Sequence, residues 1–263
     1  MQKKNMTRNR KIGTQILIYI ILLAIWQCAY TVGVNVLEIW KPYAMPSPLG
    51  VVETLVSLCA DRTLLMAVLY SLLRAASGFL IAIVIGVIVG IIMVQFGAVG
   101  SALKPLILGI QSLPSVCWVP FAILWFGLKE QAILFVVIMG SAFSVSLALE
   151  NGVRSINPIY LKAARTMGAS KKALYLKVIF PASLPALIAG LRQGWSFAWR
   201  ALMSAEVMSA STGLGYTLIL GRDLADINQV MLVMLVIIVV GICIDKFIFS
   251  SAEKRILAKR GFV

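Results

Sequence analysis

Histidine is absent from this 263-residue chain, and acids are scarce: ten Asp and Glu stand against 24 Lys and Arg. A hydrolase ordinarily needs an activated nucleophile beside a base, or a metal cage, and no compelling constellation of either kind is present. No Gly-x-x-x-x-Gly-Lys-Ser/Thr phosphate loop occurs, and no pair of intramembrane carboxylates. The four cysteines, Cys28, Cys59, Cys117 and Cys243, lie scattered without metal spacing and read as small apolar side chains. These absences describe a chain that is not an enzyme by itself and binds no cofactor or metal of its own.

Apolar residues dominate instead, at 60% of the chain with only 13% charged and a mean hydropathy of +0.96. That leaves too little polar surface for a water-soluble globule, so an all-α integral membrane protein is expected. Apolar stretches near 16–37, 64–94, 106–126, 132–149, 185–205 and 230–249 predict six transmembrane helices, with no room for a second, soluble domain. Residues 1–63 then comprise an N-terminal tail, the first anchor and an outer segment. A five-helix core covers 64–250 with a basic loop at 154–181, and 251–263 form a basic tail.

The formal charge of +14 would suit nucleic acid, but its placement argues otherwise. Lys3, Lys4, Arg8, Arg10 and Lys11 precede the first span; Arg154, Lys162, Arg165, Lys171, Lys172 and Lys177 fill the loop; Lys246, Lys254, Arg255, Lys259 and Arg260 end the chain. The opposite side holds only Lys41, Arg62, Lys129 and Arg222, so the positive-inside rule predicts that both termini and the loop are cytoplasmic. Residues 24–30 offer no small-residue cleavage site, and the first apolar run reads as a retained anchor.

Within the spans, Gly78, Ala82, Gly86 and Gly90 recur every four residues and predict a face for close helix packing. Arg74 is expected to snorkel or to find a partner. Pro114 and Pro120 should each kink or break the third span. In the fifth span Gln193, Ser196, Arg200 and Ser204 form one polar stripe, and Arg192, Trp195 and Trp199 an adjacent one. Counted from Pro185, Arg192 lies about 10 Å along the helix and Arg200 about 22 Å. An intramembrane guanidinium needs Trp rings, carbonyls, an acid or a passing anion. Two readings stay open for Arg192, Arg200 and Trp199: a network that fixes helix packing, or the lining of an anion path. Glu206 could share the face of Arg192 and Trp199, but too far along the axis to pair with Arg192. Gly213 and Gly215 then predict a turn or a re-entrant gate.

The basic loop reads as two short helices. Asn157 caps the first with Pro158 at its first position and Gly168 ends it; Ser170 caps the second, which runs through Leu174 and Val178 to Pro181. Lys162-Ala163-Ala164, Gly168 and Pro181 match the spacing of the Glu-Ala-Ala loop of binding-protein-dependent ATP-binding cassette importer permeases, with Lys162 in place of the Glu. Leu113-Pro114-Ser115, Trp118-Val119-Pro120, residues 123–127 and 205–210, and Gly213-Leu214-Gly215-Tyr216 resemble the sulfonate, taurine and nitrate permeases of that family. The resemblance extends from about Ser71 to the C-terminus.

It implies a type I importer permease fold in a bacterial inner membrane, with Lys162, Ala163, Ala164, Met167, Gly168 and Ala169 on a coupling helix that docks an ATPase. It also implies two ATP-binding cassette subunits that use ATP and Mg, an extracytoplasmic substrate-binding protein, and a second permease chain in a homodimer. The substrate would be a small anion such as a sulfonate, taurine or nitrate, or else a vitamin precursor or other small nutrient. An ion-coupled secondary transporter and a membrane scaffold are the alternatives of a different class. Midplane acids and inverted repeats would favour the former, and neither is clear.

Overall fold

The computed structural model describes residues 2–41, 43–209 and 211–258. Ala210, Lys259 and Arg260, which belong to the motifs and tail above, lie outside the described residues. Twelve α-helices are described: α1 (Gln2–Tyr30), α2 (Pro48–Ala60), α3 (Thr63–Gln95), α4 (Gly97–Gln111), α5 (Trp118–Phe126), α6 (Glu130–Arg154), α7 (Pro158–Thr166), α8 (Lys171–Leu174), α9 (Phe180–Val207), α10 (Leu214–Asp223), α11 (Ile227–Ile244) and α12 (Ser250–Ala258). No strand occurs among the described residues. Among the described residues five helical segments are long and apolar enough to cross a membrane, and α4 with the 115–126 segment, bent by 92°, adds a sixth when the bent pair is counted as one span.

Two compact units are present, Met1–Leu65 with Thr217–Val236, and Met66–Tyr216 with Ile237–Val263. In the first, Ser47 caps α2 by accepting from the Gly50 amide at 2.9 Å, and Asn228 accepts from the Ser47 amide at 3.0 Å. Gln229, buried, donates to the Thr217 carbonyl at 2.8 Å.

The second unit is organised around α6. Against α3 it meets the predicted glycine face: Gly78 lies on Val137, Gly86 on Ala142 and Val145, and Gly90 on Ser146 and Leu149. Towards α9 its contact is extensive. There Gly140 meets Ala201, Ala148 meets Gly190 and Gly152 meets Ala186, so small residues let the two backbones approach closely. A Cβ at Gly190 would collide with that of Ala148. Gly190→Val is therefore expected to destabilise the chain by about 1–3 kcal/mol. Thermal melting in detergent reads this; an unchanged midpoint would refute the packing.

Three boundaries differ from expectation. The third span breaks at Ser112–Pro114 alone: Pro114 is extended (φ −55°, ψ 136°), and a residue before proline avoids the helical region. Pro120 breaks nothing, because it is the third residue of α5, where an amide has no partner within the helix anyway. The second loop helix does not stop at Pro181. Residues 171–207 run on as one segment through a π turn at Tyr175–Ile179. That wide turn precedes Pro181, whose ring would otherwise strike the carbonyl four residues back. The tail after residue 250 begins as α12, which packs against α9.

Candidate functional site

Three groups of side chains in the second unit contain the predicted site residues; a separate pair, buried Glu150 with Lys104 at 2.7 Å, ties α6 to α4. The first is the 157–170 segment. The Asn157 side chain accepts from the Ile159 amide at 3.0 Å, and that of Ser170 from the Ala173 amide at 3.2 Å. Gly168 is left-handed (φ +76°), and the Ala169 amide reaches back to the Ala164 carbonyl at 3.0 Å, a Schellman closure. Tyr160, Lys162, Ala163, Met167 and Gly168 are exposed, Met167 by 81%, while Ala169 is half-buried. Ala164 is only 4% exposed: it faces the chain's own interior, so it is not available to a partner as the Ala-Ala pattern suggested. The outward strip is Tyr160, Ala163 and Met167, spaced three and four residues apart on one helix face.

The second group is a buried network centred on Glu206, fully enclosed near the end of α9. Ser71 lies 2.9 and 2.7 Å from its two carboxylate oxygens, Arg74 donates to Oε1 at 3.1 Å, and the Gly215 amide donates to Oε2 at 3.0 Å. Ser71 Oγ also accepts from the Leu214 amide at 2.8 Å. The carboxylate and the hydroxyl thus cap the first amides of α10, where an acid is favoured by the helix dipole. Arg74 extends the network to the Thr212 carbonyl at 2.6 Å and to Glu130 at 2.8 Å. Gly213 and Gly215 are explained here. A Cβ at either would come 2.5 Å from a Glu206 atom, so the glycines admit the side chain of Glu206, and the stretch opens a ten-residue helix instead of forming a gate-like turn.

The third group is the polar stripe of α9. Gln193, Ser196 and Arg200 are exposed and Ser204 is half-buried, with the Ser196 and Ser204 hydroxyls donating to the carbonyls four residues back. Trp199 leaves this group. It is buried, stacks on Trp195 at 6.3 Å and meets Gly241, so it lines no open surface of this chain. Arg192 is held by Asp245 at 2.6 Å through Nε and Nη2, and by Glu253 at 3.2 Å. That neutralises its charge within the helix packing.

Arg200 differs from Arg74 and Arg192. Among the described residues no carboxylate pairs with it; Nε donates to the Ser196 carbonyl at 3.2 Å, and the guanidinium lies 4.9 Å from the Phe197 ring centre. It lines a cavity of about 310 Å³ at the break between α4 and α5, with Gln111, Ser112, Ser115, Trp118 and Phe197. Among the described residues Arg200 is the only charged one in that lining. A small, partly polar cavity with one uncompensated cation suits an anion.

Residues 82–256 match the family model of the binding-protein-dependent transport system inner membrane component. The chain belongs to that family. This permease is 29% identical to SsuC of Bacillus subtilis, named for aliphatic sulfonate transport, over 91% of its own length and 85% of that protein's. The taurine transport system permease TauC of Escherichia coli is 29% identical, covering 74% and 71%. The bicarbonate transport system permease CmpB of Synechococcus elongatus is 31% identical, covering 72% and 68%. Among solved structures, the MetNI methionine ABC transporter in an inward-facing conformation superposes with a TM-score of 0.61 at 18% identity, over 74% of this permease and 96% of that chain. The likeness shows the type I importer permease fold.

Sequence reasoning missed the pairing of Arg74 with Glu206 and Glu130, and the acids of Arg192. It also missed Tyr160 on the outward strip of α7, although the spacing Tyr160, Ala163, Met167 was there to be counted.

Proposed function

We infer that this permease carries a small oxyanion across the membrane by alternating access, along a path that includes Arg200, Ser196 and Gln193. The observation that carries this reading is the unpaired Arg200 in the 310 Å³ cavity, beside two other intramembrane arginines that are each neutralised by acids. Leaving a guanidinium without an acid costs at least about 2.5 kcal/mol in a membrane, and a transient anionic cargo offsets that cost. The sulfonate, taurine and bicarbonate names of the relatives support the same chemistry.

Energy comes from separate subunits that use ATP and Mg. In this reading two of them dock on α7 of two permease chains arranged as a homodimer, with the basic loop and both termini cytoplasmic and a binding protein on the far side. Purification from membranes tests the assembly. Co-isolation of an ATPase whose turnover rises with loaded binding protein is expected; uptake driven by an ion gradient without ATP would sink it.

Docking through α7 has its own test. Met167 presents an apolar tip, so Met167→Asp is expected to lower binding-protein-stimulated ATPase activity more than tenfold, about 1.4 kcal/mol or more, with melting little changed because the residue is 81% exposed. Full stimulation in that variant would remove α7 from the interface.

A further inference from the structure

The π turn at Tyr175–Ile179 forms one wall of a second cavity, of about 370 Å³, that the transport reading does not use. Its other walls are the last turns of α3 and α6, through Val94, Leu149 and Val153, and its floor continues along α9 to Phe180 and Leu187. The lining is almost wholly apolar. Its polar residues are Gln95, exposed at the end of α3, and Ser183, buried and already donating its hydroxyl to the Phe180 carbonyl at 3.1 Å. An apolar lining of this kind suits a hydrocarbon chain.

Charge then selects the guest. Lys171 and Lys172 stand four residues before Tyr175 and Leu176, on the same exposed face and one turn nearer the helix start. Neither lysine side chain makes an ion pair among the described residues. Tyr175, half-exposed between the lysines and the apolar floor, has the amphipathic character of an interfacial anchor. The order along the helix is cation, aromatic, apolar groove, which matches headgroup phosphate, glycerol region and acyl chain.

We propose that the groove between α3, α6 and the π turn of α9 is a binding site for an anionic phospholipid, its acyl chain in the groove and its phosphate on Lys171 and Lys172. Tyr175, Leu176 and Ile179 of the π turn line the groove, and an occupying chain supplies contacts that its walls lack. The site is independent of the substrate assignment.

Photolabelling of the full chain in nanodiscs tests it. A phosphatidylglycerol probe with a diazirine on its acyl chain is expected to label residues 149–153 and 175–187, and a phosphatidylcholine probe is not. Each lysine at an anionic surface contributes roughly fivefold, so the double variant Lys171→Gln, Lys172→Gln should lower labelling about 25-fold. Because both side chains are exposed and unpaired, that variant keeps its fold. Leu187→Trp, which adds bulk to the groove floor, should lower labelling with the lysines intact. Equal labelling by the two probes, labelling indifferent to the lysines, or a crosslink between two copies of the chain at these segments would each overturn the proposal.

Discussion

Replacing Glu206 by alanine is expected to cost this permease about 3–5 kcal/mol, the range for breaking a buried ion pair from one side. The residue sits at the meeting point of α3, α9 and the start of α10, and its carboxylate satisfies Ser71, Arg74 and the Gly215 amide together. Alanine would leave Arg74 buried with Glu130 and the Thr212 carbonyl alone, and would uncover an amide at the start of α10. Glu206→Gln should be milder, about 1–3 kcal/mol: one amide oxygen can still accept, but its NH2 then faces a donor. A double variant, Arg74→Leu with Glu206→Leu, should lose less than the sum of the single losses, since neither partner is left charged and alone. Thermal melting of detergent-purified protein measures all of these. If Glu206→Ala melts like the parent chain, the network does not hold these helices together.

That network also marks where the sequence stopped being informative. Helical spacing places Glu206 on a face of α9, but its partner is 132 residues earlier, and Glu130 is 56 residues from Arg74. Nothing in a periodicity connects them. Features whose cause is local were legible: Asn157, Pro158, Gly168 and Ser170 mark their helix ends because each cap is settled within four residues. The glycine face of α3 was legible for a similar reason, since its period shows in the chain even though its partner α6 does not. Errors came where one residue type has two uses. Proline at 120 sits harmlessly in a first turn, proline at 181 is absorbed by a π turn, and glycines at 213 and 215 make room for a carboxylate. Ala164 shows the same ambiguity, because a small residue suits close approach to the chain's own core as well as to a partner.

Arg200→Gln is expected to reduce ATP-driven uptake of an oxyanion about 10- to 100-fold, corresponding to one charge-assisted hydrogen bond of roughly 1.5–3 kcal/mol. Melting should not fall and should rise, because the variant removes the cost of the unpaired guanidinium and gives up only a 3.2 Å bond to its own helix and a contact with Phe197. Arg192→Gln should do the opposite. It strands Asp245 and Glu253, so stability falls first and any loss of uptake follows from that. Arg200→Lys separates charge from geometry: it keeps the cation but loses the planar fork that grips two oxygens, and should retain part of the activity. Proteoliposome uptake of an aliphatic sulfonate and of bicarbonate, run in parallel with the cognate ATPase and binding protein, reads these effects. Both cargoes should suffer in Arg200→Gln if the arginine meets the shared oxyanion, whereas loss of one alone would assign it to selectivity. Unaltered uptake of both in a well-folded Arg200→Gln protein would take the arginine off the path, and with it the physical argument for an anion.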